Sequence, residues 1–343
     1  MTQSPSMVFG RRRVGNDAPV LVIAEIGINH EGDAEVCARM VEAAVAAGAD
    51  AIKLQTIDPD RNYVPGTESH RLFQTAVLSR EQTARMFART LELGAEPFTT
   101  VGDFATLEWV RRLDPSGYKI SSGLLTCLPI VARVAATGRP LLMSTGMALP
   151  EDVDSAVKVA RDAGARDLML LQCTSLYPAP LDRLNLAAIG HLSERYGLLS
   201  GFSDHSVGSK AAALAVAAGA VAIEKHFSLD PSRPSFDHGI SLDPHGFKQM
   251  VHEIRDAEAA RGRVEHAILP DVREKRRLAS RYLGTIAPIA AGQFLTEANV
   301  GFLRLTDTNN ALPAAAFDEI LGTRAVTDLA PHAPLTAGCY RRD

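Results

Sequence analysis

The sequence predicts an α/β fold, in which a (β/α)8 TIM barrel precedes a small, mostly β domain. From Val20 onward, eight short apolar runs alternate with longer, Ala-rich amphipathic stretches, a pattern typical of repeated βα units. The runs are apolar along their whole length, as strands are when helices cover one face and a barrel interior the other. After about Ser280 the rhythm changes to short strands and turns, which indicates a second domain.

The eight barrel strands are predicted at residues 20–29, 51–56, 95–100, 117–121, 140–145, 167–173, 198–204 and 220–227. Helices are predicted between them at residues 34–47, 80–93, 104–113, 128–136, 151–163 and 210–218. The segment 57–78 is longer than a usual βα connection, which indicates a functional loop.

The length of 343 residues fits this division, since one α/β barrel takes up roughly 250 residues. We expect the barrel to occupy residues 1–270 and a charged helical linker residues 271–281. The small domain then spans residues 282–343, with short strands near 282–286, 300–304 and 325–329.

Composition excludes several classes of protein. The chain has 36 Lys and Arg against 40 Asp and Glu, a net charge of −4, so it lacks the basic excess of a nucleic-acid binder. It has no uninterrupted apolar window near the roughly 18 residues of a membrane span and no apolar N-terminal signal. Its four cysteines have no CxxC spacing, so we expect reduced thiols and a cytoplasmic protein.

Polar residues follow every predicted strand, although the strand bodies are apolar. A barrel brings the carboxyl ends of its strands to one face, where such enzymes act. One polar residue at a strand end only marks the exit of the strand, but eight consecutive cases predict a single polar pocket. The residues at these ends include Glu25, Lys53, Gln55, Thr100, Lys119, Ser122, Ser144, Tyr177, Ser203, His205, Glu224 and His226.

Two histidines stand at corresponding places after the last two strands, His205 in SDH and His226 in EKHF. On adjacent strands they can share a metal ion with water or substrate in the remaining positions. An isolated histidine is more often structural, but these two are paired and flanked by Asp204 and Glu224. Imidazole, carboxylate and water suit Mn, Fe, Co or Zn, and spacing does not choose among them.

A second group of residues at the strand ends, made of lysines and serines, predicts an anion site for a ligand that carries phosphate and carboxylate. Lysine supplies a point charge and serine supplies directional hydrogen bonds. Lys53 and Lys119 lie inside apolar runs, where an unpaired ammonium group would be costly, so they are not ordinary surface lysines. The group consists of Lys53, Lys119, Ser122, Ser144 and Ser203.

These residues lie in segments that closely resemble the sialic acid synthase family of N-acetylneuraminate, legionaminate and pseudaminate synthases. The segments are 24–30 (AEIGINH), 52–56 (IKLQT), 118–120 (YKI), 144–147 (STGM), 173–178 (CTSLYP), 202–205 (FSDH), 224–227 (EKHF) and 237–238 (DH). The tail resembles the antifreeze-like (SAF) domain of that family at 291–296 (AGQFLT), 321–322 (LG) and 333–336 (APLT). The match runs in order over about residues 20–340.

The resemblance implies a transferase that condenses phosphoenolpyruvate (PEP) with an open-chain N-acetylated hexose to a nine-carbon 2-keto acid and phosphate. It implies that His205 and His226 hold a divalent cation, Mn²⁺ or Mg²⁺. Glu25 and Glu224 are then the candidates for proton transfer and sugar orientation. It assigns Lys53, Thr100, Lys119, Ser122, Ser144 and Ser203 to PEP, and Gln55, Tyr177, Asp237 and Arg304 to the sugar. Arg304 would come from the tail of a partner subunit, so a domain-swapped homodimer is implied.

The chain departs from the family pattern at three places. Leu124 follows Ser122-Gly123 where the family usually has glutamate, residues 101–103 (VGD) lack the usual Pro-Phe pair, and Leu305-Thr306 follows Arg304 where Pro-Gly is common. The departures fall among the sugar contacts or less certain positions, so the acceptor stays open among N-acetylmannosamine, its 6-phosphate and 2,4-diacetamido sugars.

Two alternatives remain beside the synthase. A PEP-dependent condensing enzyme or metal aldolase with another aldehyde acceptor would keep the same pocket, and Leu124 motivates it. A sugar-binding protein without turnover would keep the barrel and the tail domain, although the retained His205, His226, Lys53 and Lys119 argue against it.

Overall fold

A computed structural model describes residues 5–234, 236–262 and 267–342 of the chain. The chain divides into two compact units, Met1–Gly262 and Arg263–Asp343. Within the described ranges, no helix is long and apolar enough to cross a membrane.

The first unit begins with a β-hairpin and continues as a barrel of eight parallel strands. The hairpin pairs β1 (Ser6–Phe9) with β2 (Arg12–Gly15) through a turn at Gly10, whose φ of 60° favours glycine. The barrel strands are β3 (Leu21–Gly27), β4 (Ala51–Thr56), β5 (Glu96–Val101), β6 (Tyr118–Ile120), β7 (Leu141–Ser144), β8 (Leu168–Cys173), β9 (Leu199–Asp204) and β10 (Ala222–His226).

The eight strands follow one another in chain order, and β10 pairs with β3 to close the barrel. This confirms the predicted (β/α)8 barrel, and each observed strand lies within about two residues of its predicted range. The β9–β10 ladder sets Ser203 opposite Glu224 and Asp204 opposite Lys225. The last two strands therefore carry their polar ends side by side.

Helices of the first unit pack around the strands. They are α1 (Ala34–Ala46), α2 (Pro59–Asn62), α3 (Glu68–Ala76), α4 (Arg80–Glu92), α5 (Phe104–Val110), α6 (Leu128–Ala135), α7 (Pro150–Asp162), α8 (Ala188–Tyr196), α9 (Lys210–Ala217) and α10 (Pro244–Arg261). Local chemistry fixes several starts: the Asp33 carboxylate accepts the backbone N–H groups of Glu35 and Val36, and Ser79 forms a capping box with Gln82. The long segment 57–78 contains α2 and α3.

The N-terminal hairpin packs against the barrel interior, a feature that the sequence pattern did not predict. Phe9 is fully buried and its ring meets Phe98 of β5 edge-to-face at 5.0 Å. Met7 and Val14 belong to the same apolar cluster, which also contains Leu21 and Leu142 from the strands. Since the catalytic end of such a barrel is the carboxyl end, this packing stabilises the fold away from it.

The second unit is small and mostly β beyond its first helix, as the sequence predicted. Helix α11 (Pro270–Ala279) covers most of the segment expected as a linker, and α12 (Phe317–Ile320) is a single turn. Strand β11 (Tyr282–Thr285) pairs antiparallel with β12 (Val300–Leu303), and β13 (Arg324–Ala325) pairs with β14 (Tyr340–Arg341). The core contains Leu283, Ile289, Leu295, Val300, Ile320, Ala325 and Leu335.

Candidate active site

A polar cavity of about 210 Å³ lies at the carboxyl ends of the barrel strands. Every site residue expected from the sequence lines it, apart from Thr100 and Arg304. The lining consists of Glu25, Lys53, Gln55, Lys119, Ser121, Ser122, Gly123, Ser144, Met147, Cys173, Ser175, Tyr177, Ser203, His205, Glu224, His226 and Asp237.

Two lysines and two glutamates form a buried charge cluster at the base of this cavity. Lys53 Nζ lies 3.1 Å from Glu25 Oε2 and 3.3 Å from Glu224 Oε1. Lys119 Nζ donates to the same Glu224 oxygen at 3.1 Å. All four side chains are at least 96% buried. Each buried lysine of the cluster thus has a carboxyl partner, as the burial of a charge requires.

The two carboxyl groups have opposite pKa shifts. Burial raises the pKa of Glu25 above its ordinary value, and the nearby positive charge of Lys53 only partly offsets this effect. Burial would also raise the pKa of Glu224, but Lys119, Lys53 and a hydrogen bond from Ser203 outweigh it and lower that pKa. Two carboxyl groups with separated pKa values can serve as proton donor and permanent anion.

The lysine ammonium groups also differ. The carboxylates of Glu224 and Glu25 raise the pKa of Lys53 despite the opposing effect of burial. For Lys119, burial outweighs the single carboxylate of Glu224 and lowers the pKa. Lys53 therefore holds its charge more firmly than Lys119 does.

Serine hydroxyls surround the lysines. Ser203 Oγ donates to Glu224 Oε1 at 2.8 Å, and Ser122 Oγ accepts the Gly146 N–H at 3.1 Å. Ser144 Oγ is buried without a hydrogen-bond partner among the described residues. An unsatisfied buried hydroxyl costs free energy and is a group that a ligand can satisfy. The predicted anion group is therefore brought together in one place.

The two predicted metal ligands lie close together in the cavity lining. The ring centroids of His205 and His226 lie 5.4 Å apart. His205 Nδ1 is 3.1 Å from the Thr174 carbonyl oxygen, and its Nε2 is 3.2 Å from the Tyr177 hydroxyl. His226 Nδ1 is buried and forms no hydrogen bond within the described chain, and Asp237 Oδ2 lies 3.6 Å away. Burial lowers the pKa of His226 well below its usual value, so its ring is neutral, the form that binds metal ions.

Gln55 and Gly27 shape the entrance beside Glu25. Gln55 Nε2 donates to Glu25 Oε1 at 2.8 Å. The register between β3 and β4 shifts between Glu25 and Gly27, where Gly27 has φ of 55°. A Cβ at Gly27 would lie 2.9 Å from Glu25 Oε1. Only glycine fits this bulge without moving the carboxylate.

Three residues lie outside the lining. Thr100 is buried on β5, with an Oγ1 that has no hydrogen-bond partner among the described residues. Arg304 is exposed in the second unit, directly after β12. Leu124 packs against an apolar cluster with its side chain partly buried, so Ser122 and Gly123 line the cavity at this turn while Leu124 does not.

The sequence reasoning did not assign Cys173, which also lines the cavity. Its Sγ is 3.6 Å from His205 Nδ1 and 3.7 Å from Ser122 Oγ. Burial alone would raise the pKa of the thiol, but the hydrogen bond and charge of His205 outweigh it and lower that pKa. A cysteine that ends an apolar run resembles a core residue, so only its position after β8 could have indicated the site.

A second cavity, of about 320 Å³, lies near α4 and α5 and shares Gln55 with the first. Several of its polar side chains are held by residues close by in the sequence: Thr83 donates to the Ser79 carbonyl, Thr106 bonds to Asp103, and Arg61 pairs with Asp58. The convergent charged groups therefore lie in the first cavity, which is the better candidate for the reaction site.

Comparison with known proteins identifies relatives along nearly the whole chain. A model of the NeuB family matches residues 40–266, and a SAF domain model matches residues 281–341. The chain is 34% identical to a pseudaminic acid synthase of Helicobacter pylori over 94% of its length and 98% of that protein. It is 30% identical to an N,N'-diacetyllegionaminic acid synthase of Legionella pneumophila, over 94% of its length and 95% of that protein.

A solved structure is similar to this chain as well. The N-acetylneuraminic acid synthetase of Leptospira borgpetersenii is similar with a TM-score of 0.76 and 28% identity, over 79% of this chain and 95% of that one.

Proposed function

The chain belongs to the NeuB family, and from that premise we propose that it condenses PEP with an open-chain N-acetylated hexose. The products would be a nine-carbon 2-keto acid and phosphate. The acceptor would be N-acetylmannosamine or a 2,4-diacetamido-trideoxyhexose, since synthases of pseudaminic and legionaminic acid are among its relatives.

The observation that carries the proposal is the meeting of two buried lysines at one oxygen. Lys53, Lys119 and Ser203 all contact Glu224 Oε1 within 3.3 Å. This carboxylate neutralises groups that suit a phosphate-bearing carboxylic acid. The unsatisfied hydroxyl of Ser144 in the same lining supplies a further donor.

The residues present also fit a divalent cation. No group of three or more His, Cys, Asp or Glu suited to a metal occurs among the residues that the structure describes, and the ligands proposed from the protein are two imidazoles. His226 Nδ1 is orphaned and His205 lies close to it, with 5.4 Å between the ring centroids. With water and substrate oxygens as further ligands, His205 and His226 would hold Mn²⁺ or Mg²⁺. Such an ion would polarise the sugar aldehyde as a Lewis acid.

Residues of the chain would then bind PEP and transfer protons as bonds form and break. Lys53, Lys119 and the serines hold PEP so that its carbon 3 attacks the aldehyde carbon, and the aldehyde oxygen takes up a proton. Water adds at carbon 2 of PEP and returns one proton to the Glu25 carboxylate. The tetrahedral intermediate then loses phosphate together with its hydroxyl proton to leave the 2-keto group. Glu25, with its raised pKa, is the proton donor in this scheme, while Glu224 remains ionised.

The sugar contacts would complete the site from two subunits. Gln55, Tyr177 and Asp237 line the cavity, and Arg304 would come from the tail of a partner in a domain-swapped homodimer. Exposed apolar side chains on loops after β7, β8 and β9 support a covering partner; they are Met147, Leu149, Leu176 and Val207. Phe302, two residues before Arg304, is exposed as well.

Phosphate release tests the proposal. Purified full-length protein, PEP and Mn²⁺ are combined with each candidate acceptor, and both phosphate and the 2-keto acid are measured. We expect phosphate release that depends on the acceptor. No release with any acceptor at saturating PEP would refute the synthase assignment, and acceptor binding without release would favour a sugar-binding protein.

A condensing enzyme with another aldehyde is the second candidate, and the position of Leu124 favours testing it. Its side chain lies in an apolar cluster and offers no charge to a sugar. The same assay with non-sugar aldehydes at fixed PEP separates the two, because only the acceptor differs.

A further inference from the structure

Successive rungs of the β9–β10 ladder carry side-chain contacts on alternating faces of the barrel wall. Ser203 lies opposite Glu224, and Asp204 lies opposite Lys225. Side chains alternate along a strand, so neighbouring residues face opposite sides. Ser203, His205, Glu224 and His226 line the cavity, whereas Asp204 and Lys225 do not.

The outer rung is a fully buried ion pair. Lys225 Nζ lies 2.9 Å from Asp204 Oδ2, and both side chains are 0% exposed. Asp204 Oδ1 accepts the Ser206 N–H at 2.8 Å, and Lys225 Nζ donates to the Ser206 carbonyl oxygen. The pair therefore binds both the N–H and the carbonyl group of Ser206, the residue that follows His205. Lys225 itself directly precedes His226.

Stability alone does not account for this pair. Burying two charges costs so much desolvation that apolar residues of similar volume often stabilise a fold equally well. Apolar side chains would, however, leave the Ser206 N–H and carbonyl groups without these partners. The ion pair therefore fixes the backbone at the ends of β9 and β10, which apolar packing would not do.

On the cavity side His226 has only loose contacts: Asp237 Oδ2 lies 3.6 Å from its Nδ1, and the rings of His205 and Tyr177 lie beside it. His226 Nδ1 has no hydrogen bond among the described residues, while His205 is held by the Thr174 carbonyl and Tyr177. The position of the His226 ring therefore depends on its backbone, and the neighbouring Lys225 anchors that backbone to Asp204.

We propose that Asp204 and Lys225 are positioning residues that set the spacing of His205 and His226 from behind the barrel wall. The ligand affected is a divalent cation, so the inference rests on the proposed function. Partners that orient metal ligands typically contribute about 10- to 100-fold to metal affinity.

The test compares Mn²⁺ binding by the full-length wild type and by the double variant Asp204→Asn/Lys225→Met. The double variant avoids leaving one buried charge unpaired, which would destabilise the fold strongly. The loss of the free Mn²⁺ signal in electron paramagnetic resonance measures binding without turnover, and thermal unfolding monitors the fold. We expect a folded variant whose Mn²⁺ affinity falls about 10- to 100-fold. The single variant Asp204→Glu keeps both charges but displaces the carboxylate from the Ser206 N–H, and it serves as a second probe if the double variant does not fold.

The matched control is Asp50→Asn, which removes a carboxylate that accepts the Val22 N–H and pairs with Arg12 and Arg255 near the start of β4. We expect it to lower stability and to leave Mn²⁺ affinity unchanged.

Wild-type affinity in a folded Asp204 variant would overturn the positioning role alone. A wild type that binds no Mn²⁺ would overturn the metal assignment and this inference together, even if it released phosphate. Equal loss of affinity in the Asp50 control would overturn the inference by showing a general effect of stability.

Discussion

Lys119 and Glu224 form a buried ion pair, with Nζ and Oε1 3.1 Å apart, although 105 positions separate them along the chain. The barrel alone explains this meeting, because it brings the ends of β6 and β10 to one cavity. Neither residue is more than 4% exposed. A ligand that binds Lys119 must therefore share this lysine with Glu224 or replace the carboxylate as its partner.

Lys119→Met should lower kcat/KM for PEP. Removing one partner of a buried, hydrogen-bonded charge pair costs roughly 2–5 kcal/mol, so we expect kcat/KM for PEP to fall at least about 30-fold. Steady-state kinetics at saturating sugar measures the change. Lys158→Met, which removes a lysine that is 75% exposed, is the control and should leave the kinetics unaltered. An unchanged KM and kcat for PEP in Lys119→Met would contradict the assigned role.

His226→Ala should abolish turnover while the fold stays intact. The imidazole lies at a strand end, and its Nδ1 makes no hydrogen bond to any described residue and lies 3.6 Å from Asp237 Oδ2, so its loss removes a ligand group without breaking a hydrogen bond there. Phosphate release and Mn²⁺ binding measure the loss, and circular dichroism reports the fold. His191→Ala, at an exposed position on α8, should behave like the wild type. Full activity in His226→Ala would exclude the proposed metal site.

The sequence could predict the barrel and most of the cavity lining because both follow from local patterns. Continuous apolar runs mark strands such as β4, whose bounds match the prediction, and the polar residue at each strand end must face the shared cavity. Lys53 and Lys119 were recognisable because an ammonium group inside an apolar run needs a buried anion.

Side-chain partners and unpatterned elements could not be predicted in this way. Nothing in the spacing shows that Lys119 shares Glu224 with Lys53, since this depends on rotamers within the closed barrel. The hairpin of β1 and β2 contains Arg11, Arg12 and Arg13, which resemble a solvated run in sequence. In the structure all three side chains are exposed, as in a solvated run, but two of them also pair with Glu96 and Asp50, and Phe9 is buried.

His30 should make stability depend on pH. Burial lowers its pKa from 6.5 to about 4, so the unfolded chain binds a proton at a higher pH than the folded chain does. This contribution is complete above pH 6.5 and is lost as the pH falls toward about 4, with a size of about 3 kcal/mol. We expect His30→Gln to flatten the pH dependence of the free energy of unfolding, measured with urea between pH 4 and 7. His191→Gln is the exposed control, and identical slopes in His30→Gln and the wild type would refute the prediction.

Phe9→Ala should destabilise the barrel from its N-terminal hairpin. The ring is fully buried against Phe98, and truncating a buried phenylalanine costs about 3–5 kcal/mol. Urea unfolding measures the change in the free energy of unfolding. Val8→Ala, at a position 57% exposed in the same strand, should change it by no more than about 0.5 kcal/mol. A small effect of Phe9→Ala would mean that the hairpin does not contribute to the stability of the barrel.

Arg304→Ala should raise the KM for the sugar much more than the KM for PEP, because the arginine is assigned to the acceptor while the buried lysines bind PEP. Arg273→Ala, at an exposed position of α11, is the control. Equal changes in both KM values would refute the role of Arg304.

Co-expression of His226→Ala and Arg304→Ala chains with different tags then tests the swapped homodimer. If the arginine acts across subunits, the mixed dimer has one site with an intact barrel and an intact Arg304, so activity at low sugar concentration should return. If the arginine acts within its own chain, no site in the mixed dimer is complete, and activity should stay at the level of the separate variants.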